Sequence, residues 1–358
     1  MTDPARDGGT DNSTYAAVLC EIDRPLRLFN LTLPALAPGQ VLVGMEWTGI
    51  CHSQINEIRG RRGPDRHIPH SLGHEGAGIV RGVGRDVTKV APGDHVVVTW
   101  IKGLGADIGS CTYRGPDGPV NSGPVSTFMT KAVVSENRVV RIPQSFPLRE
   151  AALLGCAIPT GMGLVRNEAR VQRGQRVVVF GAGGIGQVAI LAAKIAGAST
   201  IVAVDRVDTK LRQAKALGAT HTIDAACPDF AECLRQVTNQ DGFDTAIEAS
   251  GKTSLMELAF NSVRPGGVAV IAGNPPHGSR IHLDPMELIR GKRILGSAGG
   301  ACDLDREIDY FVGLHESGKV SFSNLISHEY PLQEINDAIE TMEGGKANRV
   351  LLKTASWH

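Results

Sequence analysis

Two sets of residues in this chain have types and spacing suited to chemistry. The first is a loop, Val177-Val-Val-Phe-Gly181-Ala-Gly183-Gly184-Ile185-Gly186. Its GxGxxG spacing follows an apolar run that reads as a buried strand, and it opens a stretch that reads as a helix. Gly181 would make the tight turn, Gly183 would let the backbone approach a pyrophosphate, and Gly186 would let helix and strand pack closely. The free N–H groups at a helix N-terminus attract phosphates. Asp205 follows nineteen residues after Gly186, where the next strand should end. A carboxylate there can accept hydrogen bonds from ribose hydroxyls and would repel a 2′-phosphate, which favours NAD over NADP. Arg206 weakens that preference without reversing it. The alternative is a glycine-rich turn in a nucleotide-free α/β domain, and the strand–loop–helix context favours dinucleotide binding over it.

The second set is dispersed: Cys51, His74 and Cys156, separated by 23 and 82 residues. Two soft thiolates and an imidazole suit zinc. These separations exclude a local zinc finger, so the fold would have to gather the three. Spacing alone leaves other readings open, with Cys156 a small buried hydrophobe and His74 a satisfied core histidine.

The elements that must position these residues change character along the chain. Up to about residue 134, short β-rich runs (Tyr15–Cys20, Val41–Met45, Gly78–Val83, His95–Thr99, Thr127–Val134) alternate with Gly and Pro, as in a partly open barrel or small irregular sheet. From about residue 160, strands and helices alternate. The strands read Arg176–Phe180, Thr200–Val204, Thr220–Ile223, Thr245–Glu248 and Gly267–Ala272. The helices between them read Ile185–Ala196, Lys210–Leu217, Asp229–Val237 and Ser254–Asn261. Continuous apolar strands in that order predict a parallel sheet covered on both faces. Two helices, Asp303–Glu316 and Leu332–Glu343, and a strand, Arg349–Lys353, close the pattern.

Composition sets outer bounds. The chain has 358 residues with 37 basic and 37 acidic side chains. At roughly 150 residues per domain this suggests two domains. The neutral balance argues against nucleic-acid or membrane-surface partners, which would want a basic excess. No apolar stretch reaches the ~18–20 residues of a bilayer span; the best, Val188–Val204, is interrupted by Lys194. Met1–Thr14 is polar and acidic and reads as a short disordered arm, with no signal peptide. The seven cysteines are scattered without a CxxC, as expected of thiols in a reducing compartment, so a cytoplasmic enzyme is expected.

Gly73-His74-Glu75-x-x-Gly78, followed by Gly84 and Val87, resembles the signature of zinc-dependent medium-chain alcohol dehydrogenases. Gly49-Ile-Cys51 and Gly155-Cys156-Ala-Ile-Pro-Thr160-Gly161 occur in that family's order, and the resemblance runs from about Tyr15 to Lys353. It implies an α/β protein with a GroES-like β-rich catalytic domain (1–159 and 300–358) and a doubly wound Rossmann NAD-binding domain (160–299). It implies Cys51, His74 and Cys156 as ligands of one catalytic zinc, with Glu75 beside the metal and able to approach it. Ser53 would begin the proton relay, and His52 would contact the cofactor pyrophosphate. Thr160, Arg349 and Lys210 match cofactor contacts, while Trp100 and Phe128 match walls of the substrate pocket. The reaction implied is interconversion of an alcohol and its carbonyl with NAD(H), in a homodimer or homotetramer.

The sequence also departs from the family. Many members hold a second, structural zinc with four clustered cysteines, whereas 101–124 contains only Cys111, so no structural zinc is expected. That stretch reads as a glycine-rich, mobile loop at the substrate entrance or a subunit contact. Asn56 stands where a histidine often passes the proton to solvent, so the relay would end in water, His52 or Glu57. Gln54 replaces an aspartate that orients the zinc-bound histidine, which would leave His74 less basic. Arg61, Arg62, Arg66 and His67 form a basic cluster, either a solvated loop or a pocket rim that attracts a polar substrate. The expected substrate is a secondary alcohol, polyol, cyclitol or sugar derivative. A zinc-free quinone or enoyl reductase, or a non-catalytic NAD-binding protein, is the alternative.

Overall fold

The computed structural model describes residues 12–345 and 347–354. Most of the expected N-terminal arm, residues 1–11, lies outside the described residues. Ser13 and Thr14 do not belong to such an arm: strand Ser13–Leu19 begins there. Thr14 is buried, and its hydroxyl accepts from the Lys131 N–H at 2.9 Å.

Two β systems build the first part. Five strands close a barrel: Ser13–Leu19, Arg27–Thr32, Cys111–Gly115, Gly118–Ser122 and His70–Ser71. Beside it runs a second sheet in the order Val139–Arg141, His95–Thr99, Glu75–Val83, Gln40–Ile50, Val350–Lys353 and His328–Pro331, with Lys131–Ser135 also paired to Gln40–Ile50. The near-C-terminal strand thus sits beside the long strand that leads into Cys51, with Val350 opposite Ile50.

The later part is a six-stranded parallel sheet. Its order is His221–Asp224, Thr200–Asp205, Arg176–Phe180, Phe243–Glu248, Val263–Ile271 and Arg293–Gly296. The strand first in sequence lies between the second and fourth, so the chain reverses its direction of travel across the sheet there. A crevice opens at such a switch point, outside the carboxyl ends of the strands. Phe180 is level with Val204 on one side and Glu248 on the other, which brings the Gly181 loop, Asp205 and Glu248 to one edge. Val177, Val178, Val179 and Phe180 are fully buried. Each contributes about 1.5–3 kcal/mol of apolar burial, which anchors the loop that follows.

Between the two parts, a nearly buried stretch runs through Leu148–Ala151, a 3₁₀ turn Ala152–Gly155, helix Ala157–Gly163 and a π turn Leu164–Glu168. Among the described residues no single helix is long and apolar enough to cross a membrane. The 101–124 stretch differs from the expected mobile loop. Its second half is the hairpin Cys111–Gly115/Gly118–Ser122, a working part of the barrel wall. Tyr113 anchors it, buried in the barrel core with its hydroxyl donor-acceptor group 2.8 Å from the Val133 N–H, which donates to it.

Candidate active site

The fold gathers the dispersed residues. One ligand atom each from Cys51, His74, Glu75 and Cys156 lies within 4.8 Å of the others. Three local features bring them there. Cys51 ends the long strand Gln40–Ile50 and caps helix His52–Ile58. Glu75 opens strand Glu75–Val83, and His74 immediately precedes it. Cys156 breaks the 3₁₀ turn from the next helix with non-helical φ −153°, ψ −65°. A Cβ at Gly155 would come within 2.8 Å of the Glu75 backbone, so a larger residue would push Cys156 away from the group.

The donor set fits a soft divalent metal. His74 Nε2 is buried with no hydrogen-bond partner, a costly state for an imidazole nitrogen unless something coordinates it. The Cys51 thiol is held well below the ordinary thiol range, first by a hydrogen bond from Cys156 and against the effect of burial. Cys156 is pushed well up by the same bond and by burial. Both sulfurs ligate metal as thiolates, so metal binding here would release the thiol protons. Burial raises the Glu75 carboxyl, and the guanidinium of Arg349, hydrogen-bonded to both its oxygens, opposes that rise. Burial also works against the Arg349 charge, but Glu75 and the two cysteines outweigh it.

Gln54 links the helix to the imidazole. Its Oε1 accepts from the Cys51 N–H at 3.0 Å, and its Nε2 lies against His74 Nδ1. His52 opens helix His52–Ile58. Desolvation by the surrounding protein, aided by Lys210 and Arg349, lowers its imidazole from the ordinary value against the pull of Cys51.

The glycine loop fits a dinucleotide. Gly181 has φ +90°, open to glycine alone without strain, and a Cβ there would press on the Ser250 N–H at 3.0 Å. A Cβ at Gly186 would overlap the Gly181 carbonyl oxygen, whereas at Gly183 it would meet nothing within 4 Å. That open space faces the start of helix Gly184–Ile195, whose first N–H groups lack helical partners. Asp205 Oδ2 accepts from the Ala182 N–H at 2.8 Å, while Oδ1 accepts from the N–H groups of Arg206 and Val207. The carboxylate thus ties its own strand end to the loop. Arg206 is exposed and Lys210 buried. Gly184 packs beside Arg349.

A cavity of about 700 Å³ joins the two parts. Cys51, His74 and Cys156 lie on its wall with Ser53, Trp100, Thr160 and Ile185. The hydroxyls of Ser53 and Thr160 and the Trp100 indole N–H are buried and partnerless. The Trp100 ring meets His74 edge-on, 6.2 Å between centroids. Phe128 is not a wall residue. It is fully buried in a core with Leu19, Ile50 and Leu72, beneath Gly73. The N–H groups of Thr127 and Phe128 both bond to the Leu72 carbonyl, which turns the ring inward. Arg62 and His67 line the cavity, while Arg61 and Arg66 do not. Sequence reasoning missed the polar wall of Ser71, Ser110, Asn121, Ser122 and Ser126. It also missed His70, held to Asp65 at 2.8 Å. No motif marks these residues; they meet only because the barrel closes.

Comparison with known proteins agrees with this geometry. Residues 37–144 match the alcohol dehydrogenase GroES-like domain, and residues 184–314 match the zinc-binding dehydrogenase family. The chain is 32% identical to the alcohol dehydrogenase class-3 of Myxine glutinosa, covering 94% of this chain and 97% of that protein. It is also 32% identical to the S-(hydroxymethyl)glutathione dehydrogenase of Saccharomyces cerevisiae, over 95% of this chain and 96% of that one. The solved structure of an alcohol dehydrogenase zinc-binding domain protein from Burkholderia ambifaria superposes with a TM-score of 0.88 at 31% identity, covering 96% of this chain and 99% of its own.

Proposed function

Because the chain belongs to the zinc-dependent medium-chain alcohol dehydrogenase family, we propose that Cys51, His74 and Cys156 hold its catalytic zinc and that it acts on a polar, hydroxylated secondary alcohol or the matching carbonyl. The protein is an oxidoreductase that interconverts an alcohol and its carbonyl with NAD(H). Zinc held there would supply a Lewis acid for the substrate oxygen, and bound NAD(H) would supply the hydride acceptor or donor.

The chain's own residues do the rest. The Gly181–Gly186 loop and the helix start hold the pyrophosphate, with Arg349, His52 and Lys210 as further contacts. Asp205 meets the adenosine ribose and disfavours a 2′-phosphate, with Arg206 beside it. Thr160 and Ile185 place the nicotinamide against the cavity that holds Ser53. Ser53 Oγ takes the hydroxyl proton in oxidation and returns it in reduction. Glu75 stays paired to Arg349 and remains within reach of the ligand group.

The observation that carries this reading is the partnerless His74 Nε2 set between two cysteines on the same cavity wall as the partnerless Ser53 hydroxyl. A zinc-free quinone or enoyl reductase has no use for that cluster. Support for a polyol, cyclitol or sugar derivative comes from the wall itself: Ser71, Ser122 and Ser126 give their hydroxyl protons to Ala17, Ser126 and Ser71 and so leave only lone pairs for a substrate, while Ser110 and Asn121 add further polar groups.

We take the catalytic domain as 1–159 with 300–358, the cofactor domain as 160–299, and one zinc per chain with no structural zinc. A cytoplasmic homodimer or homotetramer is part of the same proposal. Assembly is supported by exposed Met286, Leu288 and Ile289 on helix Pro285–Ile289 and Leu295 on the edge strand Arg293–Gly296. The test is NAD reduction by zinc-loaded protein across simple alcohols, polyols, cyclitols and sugar phosphates. Turnover confined to the hydroxylated classes is expected. Preference for unfunctionalised aliphatic alcohols would overturn the substrate reading.

A further inference from the structure

We propose that Glu57 and His70, with Asp65 positioning His70, carry the reacting proton between Ser53 and solvent. The inference rests on the dehydrogenase reading above. Oxidation of an alcohol by NAD⁺ yields a carbonyl, NADH and one proton. The hydride carries the electron pair to the nicotinamide, and the hydroxyl proton must leave the cavity. Ser53 can accept that proton only if its own is taken onward.

The neighbouring residues limit where it goes. Asn56 has a carboxamide, which binds no proton near neutrality, and its Oδ1 accepts from Arg61 at 3.4 Å. Glu57 is the next candidate. It follows Ser53 by four residues on helix His52–Ile58, which puts both side chains on one face. Both line the cavity, where water can bridge them. Glu57 Oε1 lies 3.9 Å from His70 Nε2, and the same nitrogen lies 2.8 Å from Asp65 Oδ2. Glu57, Asp65 and His70 offer atoms that all fall within 4.8 Å of one another.

The surroundings suit a proton carrier. His70 Nδ1 faces the Ser71 carbonyl at 3.2 Å, an acceptor only. That bond keeps a proton on Nδ1 and leaves Nε2 as the nitrogen that gains or loses one. Burial opposes ionisation of Asp65, but bonds from the His67 N–H and from His70 outweigh it and hold the carboxyl below its ordinary value. Arg62 Nη1 sits 3.3 Å from Glu57 Oε2 and favours the carboxylate that must accept. The groups facing His70 are Glu57 from the helix and Asp65 from the loop after it, with Arg62 paired to Glu57 and the His67 N–H bonded to Asp65. The strands paired with His70, Ser13–Leu19 and Gly118–Ser122, contribute no charge. His70 lines the same cavity as Ser53, and its side chain and that of Asp65 are 9% and 10% exposed against 27% for Glu57, so the proton passes by way of His70 to Glu57, where the route opens to solvent.

The experiment uses full-length enzyme loaded with zinc and NAD⁺, as wild type, Glu57→Gln and His70→Asn. Steady-state oxidation is measured against pH in weak buffer and again with added imidazole. Separately, proton release to a pH-indicator dye is followed when the redox-inert alcohol trifluoroethanol binds. Both variants should lose about tenfold or more of kcat in weak buffer, most steeply at the acid end, and regain it with imidazole. Their proton release should lag the wild type, with zinc content unchanged. Loss that imidazole does not restore, with an unaltered pH profile, would reduce these residues to a structural role and overturn the proposal. Variants indistinguishable from a working wild type would overturn it while leaving the dehydrogenase reading intact. A wild type that oxidises no alcohol would overturn both.

Discussion

Replacing Gln54 with glutamate should tighten zinc binding by about one to two orders of magnitude. Gln54 is 3% exposed and makes two contacts: Oε1 accepts from the Cys51 N–H, and Nε2 faces His74 Nδ1. Metal at the partnerless Nε2 uses that nitrogen's lone pair, so the ring proton must sit on Nδ1. An N–H there then confronts the amide's own N–H. Turning the amide over offers oxygen to His74 but sets the NH₂ against the Cys51 N–H. One carbonyl oxygen cannot serve two donors on opposite sides. A buried donor left unmet costs about 1–3 kcal/mol, and about 1.4 kcal/mol is a tenfold change in affinity. Glutamate has the same length and two acceptor oxygens, one for each donor. It also places a negative charge in the first turn of helix His52–Ile58, which contains no acidic residue there. The assay is competition for zinc against a chromophoric chelator at fixed pH. Without metal, the buried carboxylate should lower the melting temperature; with zinc, it should raise it. A natively folded Gln54→Glu protein whose zinc affinity is unchanged or weaker would refute the two-donor conflict.

Cys51→Ala should strip the zinc and lower NAD reduction by about a thousandfold or more, read by metal analysis beside kinetics; a zinc-free reductase would keep its rate. Gly183→Ala and Gly186→Ala should separate cofactor binding from folding. The first adds a methyl to open space and should weaken NAD binding in titration calorimetry with little change in stability. The second should cost about 1–3 kcal/mol in urea denaturation, because its methyl collides with the Gly181 carbonyl. Asp244 accepts from the Arg176 N–H and from Arg264 Nε, both at 2.7 Å. Burial opposes its ionisation, but these bonds hold its carboxyl below the ordinary value. Its stabilisation is therefore present above the carboxyl's unfolded value and lost as pH falls through the depressed one. Asp244→Asn should destabilise by about 1.5–3 kcal/mol near neutrality, and denaturation curves should show the gap closing in acid.

The parallel sheet was legible because its signals are local. Arg176–Phe180 is bounded as the apolar run predicts, and the helix Gly184–Ile195 differs from its reading by one residue at each end. The edge strand Arg293–Gly296 was missed, since only four residues, two of them Arg293 and Gly296, give no alternation to read. Strand His328–Pro331 was hidden by its polar start and terminal proline. Helix His52–Ile58 was overlooked because its seven residues span barely two turns. At the site, Cys51, His74 and Cys156 could be named from sequence motifs, but their meeting is a property of the fold. Phe128 shows the limit of carrying a role by position: the residue type fits a pocket wall, and a backbone bond to Leu72 points it into the core. The serine wall had no sequence signal, because Ser71 and Ser122 become neighbours only through the pairing of His70 with Asn121.

The placement of Val350–Lys353 also bears on how the protein is made. This strand fills the slot between Gln40–Ile50 and His328–Pro331, and Arg349 just before it reaches Glu75. A chain emerging from the ribosome therefore completes its parallel sheet while the long strand beside Cys51 still has an unfilled edge. Until Val350–Lys353 arrives, that edge is open to non-native pairing, and the Glu75 carboxylate is without its cation. No incomplete translation product ending before Arg349 can assemble the site. Synthesis is vectorial, and here the cation is translated 274 residues after the carboxylate it must neutralise.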